Sequence, residues 1–175
     1  MTGFALFDTA IGWCGIAWGP RGIVGVQLPE GSAPATRARL LRRFPDAGEA
    51  PPPAEARRAI GDITALLRGE PKALDDVPLD MEGLPEFNRR VYEVARTIPW
   101  GATLSYGEIA KRLGDPGVAR DVGQALGQNP FAIVVPCHRV LAAGGKWGGF
   151  SARGGVSTKR RLLSIEAAQR PLLDD

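Results

Sequence analysis

Glycine and proline cut residues 1–28 into three short runs, 4–10, 13–18 and 23–28, each rich in apolar and β-branched side chains. The breaks fall at Gly12, Gly19-Pro20 and Gly22. Runs of this length between such breakers predict a small antiparallel meander. Residues 35–44 and 54–67 then carry apolar positions at helical spacing, with Pro51-Pro52-Pro53 between them. Residues 69–78 are polar and read as a loop, with a short strand near 77–81. The first domain, residues 1–80, is therefore expected to be α/β, a small antiparallel sheet plus helices.

The second domain, residues 81–175, reads as helical. Positions 86–98 place Phe87, Val91, Val94 and Ala95 on one face, and Pro99-Trp100-Gly101 ends that helix. Ser105-Tyr106-Gly107-Glu108 forms a capping box, in which the Ser105 hydroxyl accepts from the Glu108 amide and the Glu108 carboxylate accepts from the Ser105 amide. A helix over 106–113, a turn over 114–117 and a helix over 118–127 follow, stopped by Asn129-Pro130. Two short helices around a glycine-containing turn fit a helix-turn-helix, but the pattern by itself favours a plain helical hairpin. The apolar run 131–135 leads into Pro136-Cys137-His138-Arg139-Val140, and a glycine-rich loop spans 144–155. Residues 157–167 read as a last helix, with Leu162, Leu163 and Ile165 apolar and Lys159, Arg160 and Arg161 basic.

Composition narrows the function classes. Apolar residues make up 44% of the chain and charged residues 23%, ordinary for a globular protein. No apolar run approaches the roughly 20 residues of a membrane helix, and the N-terminus does not read as a signal peptide. The net charge is only +3, but residues 101–170 hold ten basic and four acidic side chains, which suits a polyanion partner. Cys14, Cys137 and the single His138 make neither a disulfide framework nor a structural zinc site. A reduced, cytoplasmic protein without metal or cofactor is expected.

Cys137 and His138 carry the candidate chemistry. A thiol attacks as thiolate, so its pKa must fall or a base must take its proton. His138 can serve as that base directly or through a water, oriented by a carboxylate that the residues themselves do not identify. Cys137 as a small buried hydrophobe is the bland alternative.

The order Ser105-Tyr106, Arg120, Gly127-Gln128-Asn129-Pro130, Pro136-Cys137-His138-Arg139-Val140, Gly149-Phe150-Ser151, Glu166 resembles that of the O6-alkylguanine-DNA alkyltransferases, the methylated-DNA–protein-cysteine S-methyltransferases. The resemblance runs from about Pro85 to Glu166, and before that it is one of general layout. It implies a ribonuclease H-like first domain and a helix-turn-helix in the second. It implies DNA repair by single, irreversible transfer of an alkyl group from O6-alkylguanine, and from O4-alkylthymine, to Cys137, by a monomer acting on double-stranded DNA. In that reading His138 takes the thiol proton through a water and Glu166 orients it. Tyr106 rotates the nucleotide out and hydrogen-bonds the base, Arg120 fills the gap, and Ala119 and Gly123 allow close approach in the minor groove. Asn129 ties the recognition helix to the active-site segment, Ser151 donates near O6, and Val135 and Arg139 flank the site, with the Val135 carbonyl accepting from the guanine amino group. Departures from the pattern are Asp121, the longer loop at Ala152-Arg153, and Trp147, a bulky side chain expected to narrow the pocket. A non-catalytic binder of alkylated DNA would lack the acceptor thiol. An alkylation-sensing regulator would need a further domain, and a thiol hydrolase would need an oxyanion hole.

Overall fold

The computed structural model describes residues 2–166, which divide into two compact units. The first comprises residues up to Glu82 together with Pro130–Val134. Its strands β1 (Gly3–Thr9), β2 (Gly12–Gly19) and β3 (Gly22–Gln27) form the expected antiparallel meander, with Phe4 opposite Ala17 and Asp8 opposite Trp13. Gly22 is required where it stands: φ is +137°, and a Cβ there would lie 2.7 Å from the Pro78 carbonyl oxygen. That contact follows from the chain returning alongside β3, where Ile23 pairs with Leu79 in a single bridge rather than the expected short strand.

Helix α1 (Ala33–Arg43) starts where the Ser32 hydroxyl accepts from the Ala35 amide and Pro34 occupies the first turn. It delivers the chain to β4 (Gly48–Glu49), which pairs with β1 in parallel. The four-stranded sheet, in order β3-β2-β1-β4, is therefore mixed and not wholly antiparallel. A crossover helix returns the chain in the same direction, where a hairpin would reverse it. Helix α2 (Ala54–Leu67) buries Ala56, Ala59, Ile63, Leu66 and Leu67, each large aliphatic contributing about 1.5–3 kcal/mol. The Arg43 guanidinium donates to the Val26 and Pro130 carbonyls and to Gln27 Oε1. Within the apolar run that follows, Ile133 adopts φ +72° and the Val134 amide bonds the Ala132 carbonyl at 2.8 Å. This is a γ-turn of the positive-φ kind, strained for a β-branched residue.

The second unit, residues 83–129 with those from 135 onward, is mainly helical. Helix α3 (Glu86–Ala95) buries Asn88, Val91, Tyr92 and Ala95. Tyr92, absent from the apolar face expected, is buried because its hydroxyl donates to the Ala125 carbonyl at 2.7 Å. Strand β5 (Leu104–Ser105) leads into α4 (Tyr106–Arg112), a 3₁₀ turn at Pro116–Val118, and α5 (Ala119–Gly127). Both hydrogen bonds of the Ser105–Glu108 capping box are made, at 3.1 and 2.9 Å. Strand β6 (Val140–Leu141) runs parallel to β5, and α6 (Val156–Ile165) closes the described chain. The expected end of that last helix at Ala167 lies outside the described residues. Among these residues, no helix is long and apolar enough to cross a membrane.

Candidate active site

Two short strands set the site. Tyr106 follows β5 directly, and the 3₁₀ turn Cys137–Arg139 precedes β6 directly. Parallel pairing of Leu104 with Val140 and Ser105 with Leu141 ties the segment before α4 to the one after the cysteine turn, and Tyr106 and Cys137 line the same cleft. Before that turn, the Cys137 amide donates to the Val135 carbonyl at 2.7 Å, and Asn129 Nδ2 donates to the same oxygen at 2.9 Å. A base amino group would have to share that acceptor. Cys137, partly exposed, opens into a cleft of about 740 Å³ that Tyr106, Ala119, Arg120, Gly123 and Ser151 also line.

His138, Arg139 and Glu166 are buried. His138 Nε2 lies 2.9 Å from Glu166 Oε2. Arg139 grips both carboxylate oxygens, Nε to Oε1 at 2.7 Å and Nη2 to Oε2 at 2.8 Å, while its Nη1 donates to the Ile98 carbonyl. Burial would raise the Glu166 carboxyl, but His138 and Arg139 outweigh it and hold the group at about 2. Burial pushes His138 down, against the pull of Glu166. With Arg139 already neutralising the carboxylate, His138 is the neutral imidazole, donating through Nε2. Its Nδ1 is buried, makes no hydrogen bond among the described residues, and keeps a basic lone pair. The Cys137 thiol is pushed up by burial, partly offset by the Asn129 hydrogen bond and the Lys159 charge. It therefore needs a base. Burial also raises Tyr106, keeping its phenol a donor despite the Gly149 amide.

Residues 86–168 match the family described as 6-O-methylguanine DNA methyltransferase, DNA binding domain. A methylated-DNA–protein-cysteine methyltransferase of Mycobacterium bovis is 46% identical over 121 residues, covering 69% of this chain and 71% of that protein. The chain belongs to the 6-O-methylguanine DNA methyltransferase family. The crystal structure of the Mycobacterium tuberculosis O6-methylguanine methyltransferase superposes with a TM-score of 0.76 at 35% identity, covering 98% of this chain and 96% of that one. A structure of Mycobacterium tuberculosis OGT in complex with DNA gives 0.75 at 35% identity, covering 97% and 95%.

Within this methyltransferase site the sequence reading missed Lys159, which is fully buried. Its Nζ donates to the Gly149 carbonyl at 3.2 Å and sits 5.8 Å from the Tyr106 ring centroid. Burial lowers its pKa to about 8, with Cys137 pulling it back up. The available signal was its spacing, seven residues before Glu166 and hence on the same helix face. Trp147, expected to narrow the pocket, does not itself line the cleft; it packs on Leu141 and Leu163. Asp121 lies in the first turn of α5, where a negative charge favours the helix dipole.

Proposed function

We propose that this chain repairs O6-alkylguanine, and O4-alkylthymine, in double-stranded DNA by moving the alkyl group irreversibly onto its own Cys137, once per molecule. It is a methylated-DNA–protein-cysteine methyltransferase and it binds DNA. One observation carries the reading: Cys137 opens into the cleft between Tyr106 and Ser151, and the next residue in the chain is a buried imidazole backed by a carboxylate. The other cysteine offers no such arrangement. Cys14 is fully buried in β2, and burial drives its thiol up to about 12.

The lesioned nucleotide must leave the base stack, which costs a few kcal/mol. Arg120, exposed at the start of α5, fills the gap, and Tyr106 assists the rotation. Ala119 and Gly123 present little bulk, so α5, the recognition helix of a helix-turn-helix formed with α4, approaches the minor groove closely. His138 Nδ1 takes the thiol proton through a water. Cys137 Sγ then forms a bond to the alkyl carbon as the carbon–O6 bond breaks. The electron pair goes to guanine, which accepts a proton and leaves unmodified. Tyr106 and Ser151 hydrogen-bond the base as its negative charge develops. Asn129 fixes the Val135 carbonyl, which accepts from the guanine amino group, while Arg139, expected to flank the base, is instead buried and holds the Glu166 carboxylate. The displacement calls for neither metal nor redox cofactor. The first unit, residues up to Glu82 with Pro130–Val134, is a ribonuclease H-like domain, the other unit carries Cys137, and the protein acts as a monomer in the cytoplasm.

Incubation with duplex carrying O6-methylguanine, followed by peptide mass mapping, should place one methyl group on Cys137 and end after one turnover. Methylation of Cys14, or repeated turnover, would refute the reading.

A further inference from the structure

The loop between β6 and α6 supplies one wall of the cleft through Gly149, Phe150 and Ser151. Two consecutive residues of α6 grip that loop at different points. Lys159 bonds the Gly149 carbonyl beside the Tyr106 ring. Arg160 stacks its guanidinium over Trp147, 5.3 Å from the ring centroid. Successive side chains on a helix point about 100° apart, so one turn of α6 can hold the loop in two directions. The indole is seated on Leu141 and Leu163, and with Arg160 it lines a separate cleft of about 570 Å³. Between the two grips, Gly148 adopts φ +67°, and a Cβ there would stand 2.7 Å from the Tyr106 hydroxyl. The stretch from Trp147 to Gly149 therefore runs tight between the indole anchor and the cleft wall. Six glycines at 144, 145, 148, 149, 154 and 155 leave this loop few side chains with which to hold itself.

We propose that the Trp147–Arg160 stack is a positioning element that sets the width of the lesion site, so that the chain selects against bulky O6 substituents. The proposal rests on Cys137 being the alkyl acceptor. Neither residue lines the cleft. They act through the chain they anchor: a seated indole holds Gly149, Phe150 and Ser151 close to the reacting centre. A released loop retreats, admits a larger group and places Ser151 less well for a methyl group. The stacked pair is thus the specificity determinant, and Ser151 and Phe150 are its contacts with the base.

The test uses the full chain and two duplexes, one with O6-methylguanine and one with O6-benzylguanine. Single-turnover rates are read at saturating protein, where a lost phosphate contact at Arg160 no longer weighs on the comparison. Trp147→Ala and Arg160→Ala should each raise the benzyl-to-methyl rate ratio about tenfold, the low end of what a changed pocket contributes to discrimination. Trp147→Phe and Arg160→Lys keep a ring and a cation and should stay near the wild-type ratio. Arg160 is exposed, so Arg160→Ala carries the test even if Trp147→Ala does not fold. Methyl transfer by the wild type with unchanged ratios in the alanine variants overturns this proposal alone, as do equal changes in all four variants. A wild type that transfers neither group overturns the alkyl-transfer reading as well.

Discussion

At Cys137 a thiol must lose a proton that desolvation makes harder to lose, and the neighbouring side chains supply the remedy. Arg139 binds Glu166 through both oxygens, so the carboxylate is charged whether or not His138 is protonated. That leaves the imidazole neutral, with Nε2 committed to Glu166 and Nδ1 available. Cys137, His138 and Glu166 were all singled out through the resemblance, since the residues alone read Cys137 as well or better as a small buried hydrophobe. Lys159 was not, because it opens the Lys159-Arg160-Arg161 run that reads as a solvated face. Its own burial, on the side of Leu162 and Leu163, shows that it points inward. Glu166→Gln should slow transfer by up to about a hundredfold, the lower range of what positioned proton transfer contributes, and leave DNA affinity unchanged, because Glu166 is buried. An unchanged single-turnover rate would exclude the relay. The same pair governs acid stability. The folded-state pKa of Glu166 lies below its ordinary 4.5, at about 2. Its contribution is present above pH 4.5 and is lost as pH falls toward 2. His138 is also depressed, so its protonation in the unfolded chain begins to erode stability at higher pH, below its ordinary 6.5. Melting temperature should therefore fall with acidification, and the difference between wild type and Glu166→Gln should shrink as pH drops through the carboxylate window.

Among the elements, those with strong local signals were legible and those made by tertiary pairing were not. The meander strands carry glycine punctuation, and α2 spans the very residues its apolar spacing marked. Strands β4, β5 and β6 are two residues each, too short for any period, and exist only because a partner lies alongside. Yet β5 runs into α4 and β6 follows the cysteine turn, so part of the site's scaffold resides where sequence patterning is silent. The turn at Ile133 was equally hidden, since an apolar run gives no sign of a positive φ. The capping box at Ser105 is the legible counterpart: it fixes the residue at which α4 begins and thereby the direction in which Tyr106 leaves the backbone. Ser105→Ala removes the acceptor for the Glu108 amide and should cost about 1 kcal/mol of stability. Ser105→Asp restores an acceptor and should recover most of it. Denaturant unfolding of the three proteins decides this, and a loss in Ser105→Ala that Ser105→Asp fails to recover would assign the cost to something other than the cap.

For the molecule as a whole, a net charge of +3 conceals a division, with residues 101–170 strongly basic and the rest of the chain carrying fifteen acidic against twelve basic side chains. A polyanion would find its long-range attraction in the former stretch, where α4 and α5 lie. Attraction of this kind acts through counterion release and is indifferent to base sequence, so it brings the protein to DNA without extruding a lesion. Two exposed cations let the two tasks be separated. Lys111 lies near the end of α4, and Arg120 at the start of α5 lines the cleft that holds Cys137. If Lys111 neutralises a phosphate, Lys111→Gln should reduce the slope of log affinity against log salt by about one unit, and transfer at saturating protein should be unchanged. Arg120 is assigned the vacated space in the base stack, so its loss should be felt only when a base has to be extruded. Arg120→Ala should slow transfer from duplex DNA and spare transfer from free O6-methylguanine base, which enters the cleft without leaving a stack. Single-turnover rates for the two substrates, with binding measured across a salt series, separate the roles. Equal slowing with duplex and free base would place Arg120 in the pocket or the fold and remove it from extrusion.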